Sequence, residues 1–338
     1  MRRRRGVTLQ INLAPTDLPV ARHVLPHQLR QWSGQVDEVL LIMDLHRSRG
    51  RYAQAWSQRL PRMRTLIEEC CAQFPGAKTE DVDYAPMAMA SVARQFFGGQ
   101  PVPAKDRQGA PFYAYLFGLL RASHDVVLHM DSDMLYGGGS QSWIGEAIAL
   151  MEADDNVLAC NPLPGPPTAD GTLRSQQLAP YRNATPAFLA PAISTRHFLI
   201  DRRRFWDRVG RLRLSRPSPR NYLKAVIDGY PAYNPLEVNL SEAMAARHGI
   251  RVDFLGSGPG MWAIHPLHRT TEFFNRLPTV VADIEAGRIP EGQRGHHDVT
   301  ESMVDGAGAE LTMTQKVVNH LRIAAGRFRS GRPRNVLG

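Results

Sequence analysis

The sequence predicts an α/β fold, a mostly parallel central sheet with helices on both faces. Two observations carry this. Short apolar runs with β-branched members alternate with helical stretches from residue 7 to residue 255, an order that demands crossover connections. One run, Val126, Val127, Leu128, His129 and Met130, ends in Asp131, Ser132 and Asp133, with glycines at 137–139. It reads as a buried strand that delivers two carboxylates to its carboxyl end and then turns. Ligands of open α/β sheets bind beyond that end.

The elements follow in order. Residues 7–13 alternate apolar and polar side chains, as a strand does, and Ala14, Pro15, Thr16 and Asp17 break it. Val24, Leu25, Gln28, Leu29 and Trp32 make one helical face within 21–32. Residues 36–43 are nearly all apolar, as in a strand buried on both sides, and end at Asp44, with Ser48 and Gly50 in the next loop. A helical stretch spans 52–74, with an interruption expected before Pro61 and a stop at Pro75 and Gly76. A weaker strand covers 79–84. Residues 97–111 are rich in glycine, proline and charge, including Lys105, Asp106, Arg107 and Gly109. Helical spacing returns over 112–122, directly before the central strand.

A helix over 144–151 and a strand over 157–161 come next. Residues 161–192 form a long proline-rich stretch read as irregular, and loops of that length usually serve function. A strand over 195–201 leads into a basic helix opened by Asp201, Arg202, Arg203 and Arg204, and 217–235 is loop-rich. A helix runs from Asn234, Pro235 and Glu237 to His248 and Gly249, with proline at its entry and glycine at its exit. A strand over 251–255 and a glycine-rich segment with Trp262 and His265 follow. One domain is expected over 1–310, then a helix and basic tail over 311–338. No internal repeat is visible.

At 338 residues with 43% hydrophobic and 22% charged residues, the chain can bury a full core. No apolar run approaches the roughly 20 residues of a membrane helix, and no signal peptide is expected. Cys70, Cys71 and Cys160 suit a reducing cytoplasm better than a disulfide framework or a zinc site. The net charge of +9 suits phosphorylated ligands, nucleic acid or an anionic membrane, and part of it sits in the two basic termini. Those termini fit peripheral contact at the inner face of a membrane. No helix-turn-helix, zinc motif or aromatic basic strand speaks for nucleic acid.

Carboxylates at i and i+2 on a turning chain can converge on one hard cation. Oxygen ligands of this kind suit Mg²⁺ or Mn²⁺, which in turn hold substrate phosphates. The competing reading of Asp131 and Asp133 is a strand-end pair that caps the next helix.

Several landmarks then match in series. These are the first strand and its break at Ala14, Pro15 and Thr16; the second strand ending at Asp44; and the helix and strand leading to Asp131 and Asp133. The last are Leu236 and Glu237 before a helix, and the strand at 250–255. In this series the chain resembles the nucleotide-sugar glycosyltransferases of the GT-A fold, closest to the inverting family 2 group, over about residues 7–265. Leu236–Glu237 replaces that group's usual Glu-Asp pair, and the loop after Asp44 lacks its acidic-glycine sequence.

The resemblance implies a Rossmann-like GT-A domain that moves a sugar from a UDP- or GDP-sugar to a saccharide or other hydroxyl acceptor. It implies that Asp131 and Asp133, with His265 as third ligand, hold Mn²⁺ or Mg²⁺. Pro15, Thr16, Asp44, Lys105, Arg107, Asp131, Ser132 and Trp262 would contact the donor. Glu237 would be the general base, with Asp228 or Glu242 as substitute. Each role has a plainer competitor. Glu237 and Asn234 also fit a capping box, Trp262 fits a core, and His265 fits a structural role with His268 as rival. The alternatives for the whole chain are a retaining enzyme of the same fold, a phosphatase of the haloacid dehalogenase type, and a non-catalytic anion-binding protein.

Overall fold

A computed structural model describes residues 5–47, 55–181, 186–266 and 270–304. Its first half alternates strands and helices: β1 (Val7–Leu13), α1 (Leu18–Trp32), β2 (Glu38–Met43), α2 (Trp56–Gln73), β3 (Ala77–Asp81), α3 (Pro86–Phe97), α4 (Tyr113–Arg121), β4 (Val126–Asp131), β5 (Leu135–Gly137) and α5 (Trp143–Ala153). The second half comprises β6 (Val157–Pro164), β7 (Ala179–Pro180), β8 (Ala187–Ala190), β9 (His197–Asp201), α6 (Arg202–Val209), α7 (Pro219–Asp228), α8 (Leu236–Ala245), β10 (Ile250–Phe254), β11 (Trp262–Ile264), α9 (Thr271–Glu285) and α10 (Glu301–Val304).

The strand order is β3-β2-β1-β4-β9-β6-β10-β8-β7. Strands β1 to β4 are mutually parallel, and β6 and β10 run the same way. β9 is inserted antiparallel between β4 and β6. The expected α/β architecture is therefore present. The carboxyl ends of β1, β2, β4, β6 and β10 and the start of β9 share one edge, where substrates bind in such sheets.

Alternation along the strands explains the two layers. Val7, Leu9, Ile11 and Leu13 face α1, α2 and α5, whose Leu25, Leu29, Met63, Ile67 and Trp143 complete one core. Leu40, Ile42 and Val127 face the other side and pack with Val92, Phe96, Leu116, Phe205 and Leu240. Each fully buried side chain of this size contributes roughly 1.5–3 kcal/mol relative to exposure. A third cluster joins the outer face of α1 through Val20 and Val24 to Trp262, Leu277 and Ile284.

Several elements differ from expectation. α2 runs through Pro61 without a break; the residue is exposed in the second turn, where water can serve the one backbone acceptor released. α3 was not expected, yet Pro86 in its first turn and Gly98 at φ 64 bound it at both ends. Residues 219–228 form helix α7 rather than loop. The stretch 161–192 is partly sheet, since β8 pairs with β10 and β7 with β8. Ser48, Gly50, His268, the basic start and the helix and tail over 311–338 lie outside the described residues.

At the opposite edge, Glu38 ties three segments together. It accepts from Thr8 Oγ1 at 2.5 Å, from the Ser123 amide at 2.8 Å and from Ser123 Oγ at 2.7 Å, and pairs with Lys78. Burial favours its neutral form, but the bonds from Lys78, Thr8 and Ser123 win and hold its pKa down at about 2, against 4.5. A depressed carboxyl contributes stability above its unfolded pKa, and the contribution is lost as pH falls from about 4.5 toward 2. With solvent screening the contribution is roughly 1–2 kcal/mol. Urea unfolding of Glu38→Gln should show a flatter dependence on pH in this window than the parent. Identical slopes would remove Glu38 from the acid-sensitive groups.

Candidate functional site

A cavity opens at the carboxyl edge where β1, β2 and β4 end. Asn12, Thr16 and Asp17 from the first strand and its turn form one wall. Asp44, Lys105 and residues 109–111 form another, and Tyr115, Asp131, Ser132 and Asp133 form the floor. The structure thus brings together six residues singled out in the sequence: Thr16, Asp44, Lys105, Asp131, Ser132 and Asp133.

The Asp131 turn is braced from several sides. Tyr115 Oη donates to its carboxylate at 2.9 Å. The Asp131 amide donates to the Arg196 carbonyl at 2.7 Å. From α1, Gln28 Nε2 reaches both the Asp131 and Met134 carbonyls, at 2.8 and 2.9 Å. The backbone therefore has little freedom, and the carboxylates are preorganised. Burial, and then the nearby Asp133 charge, raise the Asp131 carboxyl well above its usual range, against the opposing pull of the Tyr115 hydroxyl. Such a pair gains from a cation between or beside its members.

His265 lies near this pair. Its Nε2 is 3.8 Å from Asp133 Oδ2 and its Nδ1 3.4 Å from Asp298 Oδ1. Among the described residues, no three His, Cys, Asp or Glu side chains converge as a ready-made metal site. The oxygen donors of Asp131 and Asp133 nonetheless fit Mg²⁺ or Mn²⁺, which usually keep several positions for water and phosphate oxygens.

Asp44 and Lys105 are already partnered. Lys105 Nζ lies 2.6 Å from Asp44 Oδ2, while Tyr84 Oη and the His46 amide hold Oδ1 at 2.8 and 2.9 Å. Both side chains are nearly inaccessible, so the pair stiffens the cavity wall. Pro15 is buried in the turn behind Thr16. Arg107 is not on the cavity wall; its amide donates to the Tyr233 carbonyl at 3.0 Å. Trp262 is 4% exposed and packs in the third apolar cluster. An added Cβ on Gly137 would meet its indole at 2.0 Å.

A second cavity lies farther along the same edge, beyond β6 and β10. Glu237, Arg196, His197, Arg251, Asp253 and His297 line it, with Asn161, Pro164, Gln176 and Ala192 from the proline-rich stretch. Glu237 does not make the capping box that Asn234 suggests. Pro235 occupies the cap position, and Asn234 Nδ2 instead donates to Ser215 Oγ and the Arg216 carbonyl, both at 3.1 Å. Among the described residues, the Glu237 carboxylate accepts one hydrogen bond, from the Thr195 amide to Oε2 at 3.4 Å. Asp228 is exposed at the last residue of α7, and Glu242 lines a separate surface cavity with Arg213 and Arg247. Neither reaches the first two cavities.

Arg251 and Asp253 neutralise each other through bonds of 2.7 and 2.8 Å. Burial lowers His297 to about 4 and holds His197 well below its usual range, so both imidazoles are neutral near pH 7. Among the described residues, the Arg196 guanidinium has no hydrogen bond or ion pair. Lining residues of the two cavities are joined by the Asp131–Arg196 backbone bond, and Tyr136 Oη lies 3.4 Å from His197 Nδ1. Sequence reasoning missed Tyr115, Arg196, His197, His297 and Asp298. The run His296, His297, Asp298 was the available signal for the last two.

Comparison with known proteins gives the following. The chain matches no family profile and no curated protein. Solved structures do align over most of it. TarS of S. aureus, in complex with UDP-GlcNAc, aligns with TM-score 0.36 and 10% identity, covering 85% of this chain and 68% of that one. The mannosyltransferase PcManGT from Pyrobaculum calidifontis, in complex with GDP-Man and Mn²⁺, aligns with TM-score 0.34 and 11% identity, covering 98% and 77%. Glucosyl-3-phosphoglycerate synthase from Mycobacterium tuberculosis, in complex with Mn²⁺, UDP and phosphoglyceric acid, aligns with TM-score 0.35 and 12% identity, covering 85% and 80%. At such scores and identities the chemistry of the site stands on the residues described above.

Proposed function

We propose that the chain is a divalent-metal-dependent glycosyltransferase that moves a sugar from a nucleoside-diphosphate donor to an acceptor hydroxyl with inversion. The observation that carries this reading is the pairing of two adjoining cavities at one sheet edge. One holds converging carboxylates, and the other holds a weakly engaged carboxylate. The first is the donor side. Its buried walls and strand-end turn suit a nucleotide, with Asn12, Thr16 and Asp17 at the β1 end and Asp44–Lys105 fixing the opposite wall. Asp131 and Asp133 would hold Mn²⁺ or Mg²⁺, with His265 in reach as a further ligand. Such a cation, when bound, would take up charge on the departing diphosphate.

The second cavity is the acceptor side. Glu237 takes the proton as the acceptor oxygen attacks the anomeric carbon and the bond to the diphosphate oxygen breaks. The neutral imidazoles of His197 and His297 orient the acceptor by hydrogen bonds without adding charge. Residues from 161–192 wall this side. A domain over 1–310 would contain both cavities.

Two measurements test the reading. Asp133→Ala should abolish Mn²⁺-dependent binding of UDP and GDP by calorimetry while the thermal transition is retained. Metal-stripped protein that transfers sugar at the full rate would sink the metal requirement. Glu237→Gln preserves size and removes basicity. It should keep nucleotide affinity and lose at least ~10²-fold in turnover. Because no capping bond is present, neither this variant nor Glu237→Ala should shift stability by more than about 0.5 kcal/mol. A fully active Gln variant would instead indicate a retaining reaction that needs no enzymatic base.

A further inference from the structure

Helix α7 leaves its apolar face in solvent. Tyr222, Leu223, Val226 and Ile227 are 46, 61, 55 and 74% exposed. Among the described residues these are four of the five exposed large hydrophobics, Met87 being the other. Their spacing of i, i+1, i+4 and i+5 puts them on one face of the helix. Ala225 is the only buried residue of α7, so the helix meets the body of the protein through that side alone. Leaving four such side chains in water forfeits burial that the fold gives almost every other one.

The charge near this face is mostly positive, with Asp228 at the last residue of the helix as its one carboxylate. Residues 208–227 carry Arg208, Arg211, Arg213, Arg216, Arg220 and Lys224 and no carboxylate. Arg220 and Lys224 are exposed on α7 itself. Arg216 is used internally, lying over the Tyr233 ring at 4.1 Å. An apolar helix face with a basic border suits a lipid surface with anionic headgroups, since the apolar side chains enter the acyl boundary while the cations stay among phosphates.

The loop that follows the helix packs beside the first cavity. The Arg107 amide donates to the Tyr233 carbonyl at 3.0 Å, and a Cβ on Gly109 would meet the Tyr230 ring at 2.6 Å. Gly109 lines the donor cavity, and α8 with Glu237 begins a few residues after Tyr230.

We propose that α7 is an in-plane membrane anchor that docks the carboxyl edge of the sheet on an anionic lipid surface, so that the acceptor hydroxyl is membrane-borne. The acceptor clause rests on the glycosyltransferase reading; the docking clause does not. The test is flotation of the full chain with vesicles of phosphatidylglycerol and phosphatidylcholine against phosphatidylcholine alone. The parent should float with the anionic vesicles. The double variant Leu223→Ser/Ile227→Ser, which keeps every charge including both termini, should bind them roughly ten-fold less well or worse. Circular dichroism and Mn²⁺-dependent UDP or GDP binding should be unchanged, which separates loss of docking from failure of the donor site. Equal flotation of parent and variant, abolished by salt, would assign binding to charge alone and overturn the anchor. So would a parent that ignores anionic vesicles. A lipid-free parent that is dimeric where the variant is monomeric would overturn it in favour of a second copy as the partner.

Discussion

Two carboxylates share the buried end of one strand, and the surrounding structure is arranged to tolerate that. Left alone, Asp131 and Asp133 repel each other in a low-dielectric setting, and burial already raises the Asp131 carboxyl. The fold does not relieve this by moving them apart. It locks the turn with the Gln28 side chain and the Arg196 carbonyl and gives Asp131 a neutral donor, the Tyr115 hydroxyl. Burial, together with the neighbouring Asp131, keeps that phenol protonated far above its usual range. The repulsion is thus held in a rigid frame.

The opposite wall uses charge differently. Asp44 and Lys105 form a pair that is almost fully buried, with Tyr84 and the His46 amide satisfying the remaining carboxylate oxygen. Such a pair adds little net stability over an apolar substitute, but removing one partner strands a buried charge at a cost of about 3–5 kcal/mol. Its contribution is shape: it joins the end of β2 to the loop over the cavity. Fitting a ligand against a fixed wall loses less entropy than ordering a loose loop.

The second cavity is organised by the insertion of one reversed strand. β9 enters antiparallel between β4 and β6, so its first residues emerge at the same edge where its neighbours finish. That brings Arg196 and His197 beside Asp131 on one side and beside Asn161 and Asp253 on the other. The proline-rich segment then closes the far side through β8, paired to β10. The loop after helix α7 packs through Tyr230 beside Gly109, which lines the first cavity.

Much of this was legible in the sequence, because period and punctuation are local. The alternation of residues 7–13, the apolar run of β2 and the strand ending at Asp131 were enough for the α/β sheet and for the Asp131–Asp133 pair. What escaped were features that depend on distant partners. Whether Asp44 and Lys105 face a ligand or each other depends on a loop sixty residues away folding back. Glu237 was open to a capping role until Asn234 turned to Ser215 instead. Trp262 reads equally as ligand platform or core until the close approach of Gly137 buries it. Tyr115 looks like a helical core residue, and only the packing of α4 under β4 aims its hydroxyl at Asp131. Local sequence determines which way each side chain points along its own element; which groups meet is decided by the sheet order, because that alone sets what lies across the edge.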